Sequence, residues 1–340
     1  MKTLICKIFG RKPKTKNIDW KNISSVLIRP IGTGVGDSVV LSATIGQLRQ
    51  AYPSCKIGVL VTPRNQFVFE HIPGVDICLQ DKPITYLKQH KKWQVFLDYR
   101  PTFTTRNIIC DYFLAPSYTV CFEKTAKKSY SPKTIKNYNF YVPKLSAAHL
   151  SKNLTLTPLA DYINAQAPKY NLDTPAPNQK EIIKKWLAPK KLSILVCPLG
   201  SDKILDKNSL TQVLLELEKE YHPNFIFAMQ EQDYPLPELK GLTYTGKMPL
   251  ETFFALCYGV DFIFTVDTAS VHIACAYNKP LVSIYSGYDD GFNLFYPLEQ
   301  DNTYAVRSAT KSNCPVSKIN NWPVQEVLKY SKACLSKIGK

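Results

Sequence analysis

Short, nearly continuous apolar runs recur along the chain, and after most of them apolar positions return every third or fourth residue. In the first half the runs are residues 25–31, 56–61, 75–79, 94–100 and 120–122. Runs of this length with little polar alternation read as strands covered on both faces, the signature of a buried parallel sheet. Between them, residues 37–51 set Val40, Leu41, Thr44, Ile45 and Leu48 along one side of a helix, and helices are also expected at 64–73, 84–91 and 104–114. Residues 124–150 show neither period and read as an excursion. An amphipathic helix is expected at 150–166, and Pro168, Pro175 and Pro177 mark 168–178 as a linker.

The rhythm then resumes. Strands are expected at 193–197, 224–229, 262–266 and 281–285, with helices at 179–187, 209–221, 249–258 and 269–277. A final helix over 324–338 places Val324, Val327, Leu328, Leu335 and Ile338 at helical spacing. Strands alternating with helices mean β-α-β units, so the fold class is α/β. At 340 residues the chain accommodates two doubly wound halves, each with its own core.

Three turns carry candidate chemistry. The first strand leads through Gly32, Gly34 and Gly36 into a helix that opens with Asp37. Asp37 is either a helix cap or a functional carboxylate, and the glycines leave room for a ligand. A dinucleotide fingerprint needs glycine at 37 and an acidic residue after the strand at 57–61; both are missing, as is a P-loop. The second turn, Pro198 to Asp202, includes Gly200 and Ser201 and is followed by Lys203 and Lys207. The third, Asp267-Thr268-Ala269-Ser270-Val271-His272, joins a strand to a helix. Small residues at a helix start leave backbone N–H groups free for an anion, and the helix dipole adds to the attraction. Two such turns with a lysine suit a nucleotide diphosphate, whereas singly Thr268 and Ser270 read as caps and His272 as a core side chain.

Charge changes this picture in one respect. The chain carries +16, and residues 1–150 hold 23 basic against 8 acidic side chains. A basic half joined to a near-neutral half suggests an anionic partner: nucleic acid, a membrane surface or a phosphorylated substrate. The basic side chains are scattered over loops and no recognition motif accompanies them, which argues against a nucleic-acid-binding protein. Residues 1–22 read as a solvated basic tail, with contact to an anionic membrane as the other reading. The ten cysteines include no C-x-x-C pair and no zinc spacing, no signal peptide is evident, and no apolar stretch approaches a membrane span. A reduced cytoplasm is the expected compartment.

Together these blocks resemble glycosyltransferase family 9, the bacterial heptosyltransferases of lipopolysaccharide inner-core assembly. Residues 28–41 resemble the family's first strand and its Gly-Asp helix start, with residues 48–53 continuing it. Val95 to Arg100 is similar to a second family block, Tyr244 to Glu251 to a third, and Val266 to Ala276 with Lys279-Pro280 to the most specific one. Ala269 stands where the family has glycine. A further family block survives as Pro198, Gly200, Ser201 and, by spacing, Lys207 in preference to Lys203, with Ser209-Leu210 in place of Trp-Pro.

The resemblance implies a GT-B enzyme of two Rossmann-like domains facing across a cleft. Residues 1–170 would bind the acceptor and 171–322 the nucleotide sugar, while the helix of 323–340 would pack back on the first domain. It implies an inverting, metal-independent transferase that moves a heptose from ADP-heptose to an inner-core lipopolysaccharide or lipooligosaccharide acceptor. Another nucleotide sugar, or a capsule or protein acceptor, is the alternative. Asp37 would be the general base. Gly200, Ser201, Lys207, Asp267, Thr268, Ala269, Ser270 and His272 would meet the donor, and Gly34, Gly36, Arg64, Arg100 and Arg106 an anionic, lipid-linked glycan. Such an enzyme works at the cytoplasmic face of the inner membrane.

Overall fold

A computed structural model describes residues 2–13, 17–163, 168–236, 239, 242–298, 300–312 and 317–338. Lys14 and Lys16 of the basic tail and residues 164–166 of the expected helix lie outside them. The chain divides into two compact units, Met1–Asn171 and Leu172–Lys340.

The first unit is built on strands β1 (Ser25–Arg29), β2 (Lys56–Val61), β3 (Ile77–Gln80), β4 (Val95–Asp98), β5 (Tyr118–Phe122) and β6 (Phe140–Val142). They form one sheet in the order β3-β2-β1-β4-β5-β6, every pair parallel. Its helices are α1 (Lys2–Phe9), α2 (Val35–Ala51), α3 (Gln66–Glu70), α4 (Pro83–Lys88) and α5 (Thr105–Leu114). The second unit repeats the plan. Strands β7 (Ser193–Cys197), β8 (Ile204–Leu205), β9 (Asn224–Phe227), β10 (Thr243–Tyr244), β11 (Phe262–Val266), β12 (Leu281–Tyr288), β13 (Thr303–Ser312) and β14 (Lys318–Ile319) alternate with α6 (Pro177–Ile183), α7 (Lys207–Tyr221), α8 (Leu250–Gly259), α9 (Ala269–Ala276), α10 (Asp289–Phe295) and α11 (Val324–Ile338). The main sheet runs β10-β9-β7-β11-β12-β13, while β8 and β14 pair apart from it.

Numbered within each sheet, both six-stranded sheets have the order 3-2-1-4-5-6 of a doubly wound nucleotide-binding fold. Strand order therefore reverses between β1 and β4 in one unit and between β7 and β11 in the other. Ligands of such sheets bind outside the carboxyl ends of the strands at that reversal. The glycine turn of Asp37 leaves β1, the Gly200 turn leaves β7 and the Asp267 turn leaves β11. All three candidate turns lie where the topology places a site.

Three expectations need correction. Residues 150–162 form tight 3-10 turns, Leu150–Leu156 and Ala160–Tyr162, in place of an amphipathic α-helix. Thr155 and Thr157 donate their hydroxyls to the Lys152 and Leu154 carbonyls at 2.8 and 2.7 Å, and Asn153 donates to His149, so local side chains compete with the α-helical ladder. The excursion at 124–150 contributes edge strand β6. The basic tail begins with α1, whose Ile5 is buried and whose Phe9 meets Tyr112 edge-on at 5.1 Å. The last helix, α11, packs within the second unit, where Val327, Leu328, Cys334 and Leu335 share a core with Val282, Ile284 and Leu214.

Candidate active site

In the first unit, Gly34 is the N-cap of α2, in extended conformation and with no side-chain cap bond. Asp37 is therefore not the cap but sits one turn in, half-buried, where the helix dipole favours a carboxylate. Its side chain folds back over the glycine loop. A Cβ at Gly32 would stand 2.5 Å from Asp37 Oδ2 and one at Gly34 3.0 Å from it. The glycines thus make room first for the carboxylate itself. Ser38 Oγ holds the turn by donating to the Gly34 carbonyl at 2.8 Å.

Beneath this loop, at the reversal point, lies a buried set of charges. Arg29 ends β1, opposite Asp98 at the end of β4. The Arg29 guanidinium pairs with Asp98 at 3.1 Å and with Asp111, and its face covers Phe96 at 4.8 Å. Lys124 Nζ, fully buried, meets Asp98 Oδ2 at 2.9 Å and also donates to the Arg100 carbonyl. Burial favours the neutral form of Asp98, but Arg29 and Lys124 more than offset it and hold the carboxyl below the ordinary aspartate range. For Asp111, burial and the charge of Asp98 win over Arg29, and its pKa is raised. Asp98 Oδ1 accepts the Arg100 backbone N–H at 3.1 Å, which fixes the start of the loop after β4.

That loop and the first turn of α5 after it carry two of the cations expected to meet an acceptor. Arg100 and Arg106 both turn to the buried Asp81, at 3.0 and 2.9 Å, with Tyr86 donating to the same carboxylate at 2.8 Å. One carboxylate shared by two guanidiniums leaves a net positive charge on a partly exposed pair. Arg64 stands exposed in the turn after β2. Nothing along the chain pointed to Asp81, Asp111 or Lys124, because each lies far from its charged partner in sequence.

In the second unit the Gly200 turn is a tight reversal. Gly200 N–H donates to the Lys203 carbonyl at 2.7 Å and Leu205 N–H to Pro198 at 3.0 Å. Gly200 has a close-approach role: a Cβ there would stand 3.3 Å from Thr268 Cβ, so the β7 and β11 turns lie side by side. Lys203 bridges them, with Nζ 3.2 Å from Asp267 Oδ2 and 3.4 Å from Asp202. Burial alone would disfavour its charge, but Asp267 and Asp202 outweigh that and raise its pKa. Thr268 is the extended N-cap of α9 with no side-chain cap bond, so the first-turn amides beside Ala269 have no capping oxygen from it. Ser201 is exposed at the tip of the turn.

Three expected donor residues take different places. The Ser270 hydroxyl is buried against Thr265 Oγ1 at 2.5 Å, which leaves its backbone to face a ligand. His272 is buried in α9 with its ring 6.1 Å from Phe295. Lys207 opens α7, where Asp206 caps the helix by accepting from Ser209 N–H at 2.9 Å, and its ammonium lies 5.0 Å over the Tyr234 ring. Lys203, not Lys207, stands with Asp267 and Gly200. Among the described residues no cluster of His, Cys, Asp and Glu is arranged to hold a metal ion.

Residues 228–320, which include the Asp267 turn, match the model of glycosyltransferase family 9 (heptosyltransferase). The chain carries a glycosyltransferase family 9 domain. Among curated proteins it is 25% identical to the putative lipopolysaccharide heptosyltransferase 4 of Escherichia coli strain K12, over 82% of this chain and 79% of that one. Among solved structures it superposes on a family 9 glycosyl transferase from Veillonella parvula with TM-score 0.73 at 13% identity, covering 95% of this chain and all of the other. Escherichia coli ADP-heptose lps heptosyltransferase II gives 0.71 at 15% identity, covering 94% and 100%. These structural likenesses bear on the fold, and bear out the GT-B class. The matched domain and the curated relative make the chain a glycosyltransferase enzyme, and its candidate turns lie at the carboxyl edges of the two sheets.

Proposed function

We propose that this glycosyltransferase moves a heptose from ADP-heptose to an inner-core lipopolysaccharide or lipooligosaccharide acceptor, with inversion and without a metal. The observation that carries the donor half is the Lys203–Asp267 pair beside Gly200 at the open end of α9. Amides at a helix end and a lysine suit a diphosphate. The Ala269 and Ser270 amides with Lys203 would neutralise the charge on departing ADP, and Asp267 would orient the sugar while holding the lysine. Lys207 and Ser201 serve as outer contacts to the nucleotide. Preorganised donors of this kind supply leaving-group stabilisation where no metal does.

In the first unit Asp37 takes the proton from an acceptor hydroxyl. That oxygen attacks the anomeric carbon as the bond to the ADP oxygen breaks, so the proton ends on Asp37 and the electron pair on ADP. Gly34 and Gly36 leave space for the acceptor sugar, and Arg64 with the Arg100–Arg106 pair meets its phosphates or carboxylates. A lipid-linked acceptor of this kind is met at the cytoplasmic face of an inner membrane.

A thermal-shift panel of ADP, UDP, GDP and CMP tests the donor. Stabilisation grows as RT ln(1 + [L]/Kd), so ADP at a hundredfold excess over Kd should add about 2.7 kcal/mol. The other nucleotides should add much less, and a dominant shift with UDP or GDP would replace the donor. Transfer unchanged after dialysis against a chelator supports metal independence; loss restored by a divalent ion overturns it.

A further inference from the structure

Six of the large apolar side chains that the described residues expose come from three helices of the first unit. They are Leu4 and Ile8 on α1, Ile84 and Leu87 on α4, and Tyr112 and Phe113 on α5, each 39–60% exposed. The helices are neighbours, α1 packing on α5 and α5 on α4. Phe9 ties α1 to Tyr112 and Phe113 at ring distances of 5.1 and 6.4 Å, and His90, just past α4, meets the Phe113 carbonyl at 2.6 Å. The spacing within each helix is deliberate. Leu4 and Ile8 are one turn apart on the outer side of α1, while Ile5 and Phe9, also one turn apart, face inward.

An exposed apolar area of this extent marks a surface that meets something. The charges around it say what. Lys7, Arg11 and Lys12 flank the α1 side and Lys88, Lys91 and Lys92 the α4 side, all exposed. No Asp or Glu occurs at 2–13 or 82–97. A second copy of the same surface would set cation against cation, whereas an anionic leaflet complements both the charge and the apolar ridge.

We propose that α1, α4 and α5 form a platform that seats the protein on an anionic lipid surface, with Leu4, Ile8, Leu87 and Tyr112 entering the interface and the lysines meeting headgroups. The platform specifies the membrane contact of the proposed function and rests on that reading only for its purpose; lipid binding is read without any transfer reaction. The platform's six cations are part of the 23 basic side chains that residues 1–150 carry.

Sedimentation of the full chain with phosphatidylcholine vesicles, with and without phosphatidylglycerol, tests the platform. Binding to the anionic vesicles, weakened tenfold or more by raised salt or by Leu4→Glu with Ile8→Glu, is expected. Both side chains are exposed, so an unchanged thermal midpoint and unchanged ADP binding should accompany the loss. Leu87→Glu on α4 should weaken binding as well, which separates a shared platform from an effect of α1 alone. Equal binding to pure phosphatidylcholine would overturn the proposal. So would undiminished binding by the double variant, or self-association that these substitutions abolish in a chain that ignores vesicles. Normal transfer to a delipidated acceptor together with absent vesicle binding would overturn the platform and leave the transferase reading intact.

Discussion

Asp37 and Gly32 are sterically coupled at the residue scale. Asp37→Asn should keep ADP binding while transfer falls by several hundred-fold, within the 10²–10⁴ range of a general base. Turnover close to wild type would remove Asp37 from that role. Gly32→Ala is a finer test, because its added methyl would stand 2.5 Å from Asp37 Oδ2 and would push the carboxylate aside. Only the end of a side chain has to move, so thermal stability should change little while kcat drops, a split that a merely structural glycine would not give. The buried charges below the loop behave oppositely. Lys124→Met leaves Asp98 and Asp111 with Arg29 alone, and breaking a buried set in this way costs about 3–5 kcal/mol. The same set gives a pH dependence. Asp98 and Asp81 titrate below the ordinary aspartate value of 3.8, so their stabilisation is complete above it and is lost as pH falls through the folded-state values. Asp111, shifted upward, works against them. A thermal midpoint that declines steeply below about pH 4, less steeply in Lys124→Met, is the expected result.

Elements differ in how plainly the chain announces them. The strands at 56–61, 193–197 and 262–266 lie within a residue of where their apolar runs end, since a strand covered on both faces needs nothing else to specify it. Asp37 and the Asp267 turn were visible because glycine and small residues mark strand-to-helix turns. Residues 150–162 misled because apolar spacing says nothing about Thr and Asn side chains that bond their own backbone. The pairing of Lys203, one of the two candidate lysines, with Asp267 was hidden for another reason: the two are close only once β7 and β11 are adjacent strands. Strand β2 carries its own long-range contact. A Cβ on Gly58 would come within 2.4 Å of the buried Trp93 ring, so Gly58→Ala should lower stability by about 1–3 kcal/mol through overpacking. Chemical denaturation measures it, and Gly46→Ala on α2, where an added Cβ meets nothing within 4 Å, is the control.

For the molecule as a whole, the two sheets share one strand order but close their cores differently. The first unit has all its strands within 25–142, whereas the second closes only with α11, more than a hundred residues after β7. The spacing of 324–338 specified the helix, yet nothing in an amphipathic stripe says which core receives it. Val327, Leu328, Cys334 and Leu335 answer that by packing with β12 and α7. Fully burying an aliphatic side chain contributes roughly 1.5–3 kcal/mol, so this stripe is comparable to the roughly 5–15 kcal/mol that holds a domain folded. A chain ended at residue 322 should therefore lose the cooperative transition of its second unit, and with it ADP binding, while the first unit retains its own. Val327→Asp in the full chain should do the same by placing a charge in that core. Were α11 only a strap for the first unit, the truncated chain would keep its nucleotide-induced thermal shift. Calorimetry with and without ADP distinguishes the two, since the unit that unfolds is the one whose transition the nucleotide moves.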